Sequence, residues 1–154
     1  NIYENKWLNM MRDKLGLFGE DKDDKKLIND LFIWMKKNKA DYTNTFCNLM
    51  GINSDEVYRN NDFITWKNVW KKRSELNNST REKQSKLMRE NNPTVIPRNH
   101  KIEEALAEAD KGNLDKMKKI LTILKNPYEN QSNIEEYRMP APMSNEKYQT
   151  FCGT

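Results

Sequence analysis

Cysteine, glycine and histidine are scarce in this 154-residue sequence, which contains two, five and one of them. Cys47 and Cys152 lie too far apart in the sequence to form a disulfide framework or a zinc-binding motif. His100, the one histidine, cannot supply a histidine-based metal site alone. The sequence also lacks a signal peptide and any apolar run of about 18 residues. We therefore expect a protein of the reducing cytoplasm that has no membrane partner.

The short motifs that identify common active sites are also missing. The sequence contains no GxxxxGK[ST], GxGxxG, HExxH, CxxC or GxSxG pattern. No strand pair, internal repeat or heptad run is visible either. We expect no catalytic residue, cofactor site or metal site within these 154 residues.

The residues that are present predict one domain with a thin aromatic core under a charged surface. Charged residues make up 32% of the chain and aromatic residues 10%. The 27 basic and 23 acidic residues are mixed along the sequence and give a net charge of +4. Mixed charges are typical of a solvated surface, so we do not expect nucleic acid as a partner.

Apolar residues recur with helical periodicity, which predicts an all-α fold. The first stripe is Trp7, Met10, Met11 and Leu15, and comparable stripes follow as far as Leu124. We predict about six to seven short helices in an irregular orthogonal bundle that ends in an αα-hairpin and an extended C-terminal tail. The predicted N-caps are Asp41, Asp62 and Ser79, and the predicted helix stops are Gly16, Gly51, Pro93 and Gly112.

The chain divides into a helical domain, residues 1–127, and a tail, residues 128–154, whose composition cannot build a core of its own. Its aromatic residues suggest that the tail lies across a surface. The first residue is Asn1 and not methionine. We therefore expect a piece of a longer protein, whose active site could lie wholly upstream.

Basic residues lie among the aromatic residues of the fourth predicted helix. Bases of a nucleic acid could stack on Trp66 and Trp70 while the neighbouring cations contact phosphates. The helical spacing instead favours rings in the core, with the basic side chains reaching outward. The cations concerned are Lys67, Lys71, Lys72 and Arg73.

The segment between Pro93 and His100 predicts a rigid elbow before the hairpin. Arg98 could clamp a carboxylate of another part of the parent protein, or form a structural ion pair within the chain. His100 could be a general base or an interfacial side chain bonded to a backbone carbonyl. We take Arg98, Asn99 and His100 as candidate interdomain contacts, and Cys47 as a buried, inert thiol.

Four segments carry a resemblance to the C-terminal region of the SelO (YdiU) family of protein adenylyltransferases. They are ADYTNTF at 40–46, MRENNPTVIPRNH at 88–100, IEEALAEADKGNLDKMKKILTILKNPY at 102–128 and YQTFCGT at 148–154. The resemblance is collinear and covers most of the chain.

The resemblance implies a parent enzyme with a protein-kinase-like catalytic domain upstream of this region. That enzyme would use ATP and Mg²⁺ to transfer AMP to Ser, Thr or Tyr hydroxyls of other proteins. The family's catalytic, phosphate-binding and metal-binding motifs have no matching positions here. The chain would be a non-catalytic C-terminal domain, partnered by its own kinase-like domain.

Only Cys152 matches a functional position of the family, where the resemblance implies a redox cysteine that pairs with a cysteine of the catalytic part. Many bacterial members end in Cys-Ser-Ser, whereas this chain ends in Cys-Gly-Thr. The alternative hypothesis is an independent helical module that binds protein or nucleic acid and has no enzymatic parent.

Overall fold

The computed structural model describes residues 2–76 and 79–142 of the chain. Within these ranges the chain forms eight α-helices, one 3-10 turn (Glu56–Arg59) and no strand, which confirms the all-α class. The helices are α1 (Ile2–Leu15), α2 (Asp24–Asn38), α3 (Tyr42–Leu49), α4 (Asn61–Glu75), α5 (Arg81–Asn91), α6 (Asn99–Ala109), α7 (Asp115–Leu124) and α8 (Glu135–Arg138).

The main hydrophobic core lies among α1 to α5 and is built from the predicted apolar stripes. Phe63 of α4 is its aromatic centre and is 1% exposed. Its ring centroid lies 4.4 Å from that of Trp34, 5.3 Å from that of Tyr58 and 5.8 Å from that of Trp66. These large rings let a polar sequence bury enough apolar surface to hold five helices together.

The end of α1 approaches α5 so closely that only glycine fits there. Gly16 has a φ of +66°, and a Cβ at this position would lie 2.6 Å from Cγ of Gln84 and 2.8 Å from Cγ of Met88. Next to it, Asn92 Nδ2 donates to the carbonyl of Lys14 at 2.8 Å. Gly16 therefore both stops α1, as predicted, and permits the contact with α5.

Asp24, in the first turn of α2, is fully buried and is bound by arginines of two other helices. Arg12 Nε donates to Oδ2 at 2.7 Å and Arg73 Nε donates to Oδ1 at 2.7 Å. Burial alone would raise the pKa of Asp24, but the bonds from Arg73, Arg12 and the Asp21 amide outweigh burial and lower it. This ion cluster joins α1, α2 and α4.

Two of the three predicted N-caps are wrong by one or two positions. Asp41 caps α3 as predicted, since its carboxylate accepts from the Asn44 amide at 2.9 Å. The cap of α4 is Asn60, whose Oδ1 accepts from the Asp62 amide at 2.9 Å, so Asp62 already lies in the first helical turn. The cap of α5 is Thr80 and not Ser79, because the side chain of Thr80 accepts from the Lys83 amide.

The described part of the predicted tail, residues 128–142, folds back onto the elbow. The Thr94 amide donates to the Pro127 carbonyl at 2.7 Å, and the Thr94 hydroxyl donates to the Glu129 carbonyl at 2.7 Å. Val95, Ile123 and Ile134 form a second hydrophobic cluster. This segment includes one turn of helix, α8, that was not predicted. The division at residue 127 stays a prediction.

Among residues 2–76 and 79–142, no helix is both long enough and apolar enough to cross a bilayer.

Replacing Asp24 by asparagine is expected to lower the free energy of unfolding by about 3–5 kcal/mol, because two buried guanidinium groups then lack their counter-charge. The folded-state pKa of Asp24 lies below its unfolded-state value. Its stabilisation is therefore present above the unfolded-state pKa and is lost as the pH falls through the folded-state pKa. Urea denaturation at neutral and strongly acidic pH measures both effects.

Asp30→Asn is the matched control on the same helix, since Asp30 is paired with Lys26 at an exposed position. Its effect is expected to stay within about 0.5 kcal/mol. Equal losses of stability at positions 24 and 30 would contradict the assignment of the ion cluster.

Candidate functional site

The elbow before α6 places Arg98 against the beginning of α3. Thr94 and Val95 in the elbow are 1% and 2% exposed, so this extended segment is packed into the fold. Arg98 follows Pro97 and is the last residue before α6. Pro93 and Pro97 restrict the backbone of this segment, and this restriction fixes the position from which the Arg98 side chain extends.

Arg98 forms a bidentate ion pair with Asp41, which lies 57 positions earlier in the sequence. Nη1 donates to Oδ2 at 2.6 Å and Nη2 donates to Oδ1 at 2.8 Å. The two side chains are 11% and 18% exposed. Planar, two-point pairing is the geometry that favours arginine over lysine.

The carboxylate of Asp41 has two roles at once, because it caps α3 and binds Arg98. Burial alone would raise its pKa, but the bonds from Arg98 and the Asn44 amide outweigh burial, so the pKa lies below its ordinary value. The carboxylate is therefore ionised at neutral pH and holds the elbow against α3.

Arg98 and Asn44 also bind the carbonyl of Arg138, at the end of α8. Arg98 Nη2 donates to this carbonyl at 3.0 Å and Asn44 Nδ2 donates to it at 3.2 Å. We call Asp41, Asn44, Arg98 and the Arg138 carbonyl the polar joint. It connects α3, the elbow and the segment that leads toward the C-terminus.

The other two candidate contact residues lie outside the polar joint. Asn99, the first residue of α6, is exposed, and His100 is half-buried. For Arg98 the geometry favours the structural ion pair over a free clamp. A contact of Arg98, Asn99 and His100 with another domain stays a prediction.

Cys47, in α3, lies next to the elbow and is fully buried, as predicted. Its Sγ lies 3.9 Å from the Pro93 carbonyl oxygen and 3.8 Å from that of Thr94. Burial raises the pKa of this thiol to about 11, so it is protonated and unreactive at neutral pH. Cys152 lies outside the described residues.

The tryptophans of α4 are part of the core and not a stacking platform. Trp66 and Trp70 are each 6% exposed. Their indole N–H groups donate to the carbonyls of Leu27 at 2.8 Å and Leu15 at 2.9 Å. Lys67 lies over the Phe63 ring at 5.9 Å, whereas Lys71 and Lys72 are exposed. The rings therefore cannot stack on bases.

No group of three or more metal-binding side chains occurs within residues 2–76 and 79–142.

Sequence reasoning foresaw Asp41 as a cap and Arg98 as a site residue but missed their pairing. It also missed Asn44 and Arg138. The presence of Asp41 and Asn44 in the ADYTNTF segment was the one available signal.

A family model described as protein adenylyltransferase SelO matches residues 1–125. The chain belongs to this family. SelO-family relatives named protein nucleotidyltransferase YdiU include proteins of Pelagibacter ubique, Clostridium botulinum and Bacillus thuringiensis. They are 58%, 46% and 41% identical to this chain over 154, 158 and 155 residues.

Each of these matches covers 99–100% of this chain and 32% of the relative. The chain thus spans about a third of the length of the SelO-family proteins that it resembles. The similarity to the relatives also extends beyond residue 125, where the family model ends. The predicted resemblance is confirmed, and the family is one of nucleotidyltransferases.

Asp41→Asn is expected to lower the free energy of unfolding by about 1.5–3 kcal/mol, because hydrogen bonds to charged groups contribute about that much. Asparagine keeps an oxygen for the cap of α3, so the loss reports on the pair with Arg98. Since the pKa of Asp41 is lowered on folding, the wild-type advantage disappears as the pH falls through the folded-state pKa. Chemical denaturation across pH measures it.

The control is Asp62→Asn, which removes an exposed carboxylate paired with Lys37. That change is expected to stay within about 0.5 kcal/mol at all pH values. An Asp41→Asn variant as stable as Asp62→Asn would show that the polar joint contributes little.

Proposed function

We propose that this chain is the non-catalytic, helical C-terminal domain of a protein adenylyltransferase. In the whole protein, an upstream kinase-like domain transfers AMP from ATP to Ser, Thr or Tyr hydroxyls of substrate proteins. The observation that carries the proposal is the SelO-family match over most of a chain that spans about a third of its relatives. Nucleic acid is not a partner in this proposal.

The transfer has a simple chemical balance. The hydroxyl oxygen of the substrate protein forms a bond to the α-phosphorus of ATP, and pyrophosphate leaves. The hydroxyl proton passes to a base. Mg²⁺ supplies neutralisation of the phosphate charge during such reactions.

The carboxylates that this chain buries support the placement of ATP and Mg²⁺ elsewhere in the protein. Mg²⁺ sites need carboxylate oxygens that are free to bind the metal. Asp24 is bound by Arg12 and Arg73, and Asp41 is bound by Arg98. Both carboxylates thus have a structural role and do not fit a metal site.

The resemblance supports a second element of the proposal, a redox latch at Cys152. In this latch, a reversible disulfide from Cys152 to a cysteine of the catalytic part would tether the tail. Cys47 is a poor partner because its thiol is buried and has a pKa of about 11. The partner would be an upstream cysteine. Two thiols would lose two protons and two electrons to an oxidant such as glutathione disulfide, and one protein disulfide would form. In a reducing cytoplasm the latch would be open.

The full-length protein is expected to incorporate AMP from labelled ATP into a protein substrate or into itself, in a reaction that stops when Mg²⁺ is chelated. Residues 1–154 alone are expected to bind neither ATP nor ATP·Mg²⁺, as measured by calorimetry, and to incorporate no label. Tight binding of ATP·Mg²⁺ to residues 1–154 would overturn the non-catalytic assignment.

Cys152→Ser in the full-length protein is expected to abolish the mobility difference between oxidised and reduced forms on a non-reducing gel. Cys47→Ala is the matched control and is expected to keep the difference, because a buried, protonated thiol does not take part. If Cys152→Ser keeps an unchanged mobility difference, the latch is ruled out.

A further inference from the structure

A long groove lies between the outward sides of α2 and α4. It consists of two adjoining cavities of about 390 Å³ and 280 Å³. The two cavities share Lys26, Leu27, Asp30 and Val69, so they form one continuous trough. We call it the α2–α4 groove.

Of the two cavities, the second borders the buried Asp24–Arg73 ion pair, and the first has an apolar floor. Leu27, Trp34 and Trp66 line this first cavity, and each of them is nearly buried. The Trp34 indole N–H donates to Asn60 Oδ1 at 3.2 Å, and that of Trp66 donates to the Leu27 carbonyl at 2.8 Å. Since the indole N–H groups already have partners inside the chain, the rings offer only apolar surface to the groove.

Two β-branched residues stand exposed on the walls of this groove. Ile33 is 66% exposed and Val69 is 53% exposed. On an exposed helix surface, isoleucine and valine are less favourable than alanine, lysine or glutamate, because their χ1 freedom is restricted. Within the described residues, neither side chain gains the burial that would offset this cost.

Two charged pairs line the same groove. Lys26 Nζ lies 2.6 Å from Asp30 Oδ2, and Lys37 Nζ lies 2.9 Å from Asp62 Oδ2. Protein–protein interfaces likewise combine apolar surface with polar and charged groups. The groove therefore suits a protein surface with an apolar ridge.

We propose that the α2–α4 groove is the docking surface for the upstream part of the same polypeptide. This inference rests on the proposed function. The relatives carry roughly two-thirds of their length outside the region that this chain matches. A covalently linked domain has an effective concentration on the order of mM, so it occupies the groove ahead of a second copy at ordinary protein concentrations.

The test is thiol footprinting of the full-length protein. Single cysteines are introduced as Ile33→Cys and Val69→Cys, and as Leu121→Cys for a matched control. The control position lies on α7, outside the candidate contact residues at the start of α6, and is 56% exposed. Maleimide labelling is followed at each site by peptide mass analysis, which separates the introduced thiols from native ones.

Cysteines at positions 33 and 69 are expected to react about tenfold or more slowly than the cysteine at position 121, which corresponds to about 1.4 kcal/mol of docking. In urea all three are expected to react alike. Equal rates in the folded protein overturn the proposal. Protection that disappears on dilution also overturns it, because a second copy would then be the occupant.

An AMP-transfer assay on the same proteins separates this inference from the proposed function. Transfer activity with unprotected positions 33 and 69 would overturn the docking surface alone. Protection without transfer activity would support the docking surface and contradict the enzymatic assignment.

Discussion

The ion cluster of Asp24 with Arg12 and Arg73 is the interaction on which the helical bundle depends. Each arginine comes from a different helix, and both reach a carboxylate that is fully buried. A buried charge without a partner is costly, so arrangements that separate Asp24 from either arginine are disfavoured. In a chain with only 36% hydrophobic residues, this requirement fixes how α1, α2 and α4 sit around the aromatic core.

The polar joint is a second place where an ion pair connects distant parts of the chain. Asp41 and Arg98 pair across 57 positions of sequence, and Arg98 and Asn44 also bind the carbonyl of Arg138. Main-chain bonds from Thr94 add to this connection. The hairpin formed by α6 and α7 is therefore attached to the bundle, together with α8, through polar contacts and a small apolar cluster. Helices α1 to α5, in contrast, share the large core.

Local patterns predicted the helices well, and pairings between distant residues could not be predicted. The apolar stripes and Gly16 placed α1 because both signals lie within a few residues of each other. Asp24 is one of four acidic residues between positions 20 and 24, and nothing in the sequence near it indicates a pairing with Arg12 or Arg73. The cap of α4 was misplaced because Asn60 and Asp62 are both good capping residues, and the backbone conformation at residue 60 decides between them.

The anchor at Arg138 limits where the proposed latch at Cys152 would act. Cys152 lies fourteen positions after Arg138 in the sequence. A fully extended chain of that length spans at most about 50 Å. A partner thiol within that distance of the Arg138 carbonyl can pair with Cys152 while the polar joint stays intact. A partner farther away requires the bonds from Arg98 and Asn44 to the Arg138 carbonyl to break, so oxidation of Cys152 would then also loosen the elbow.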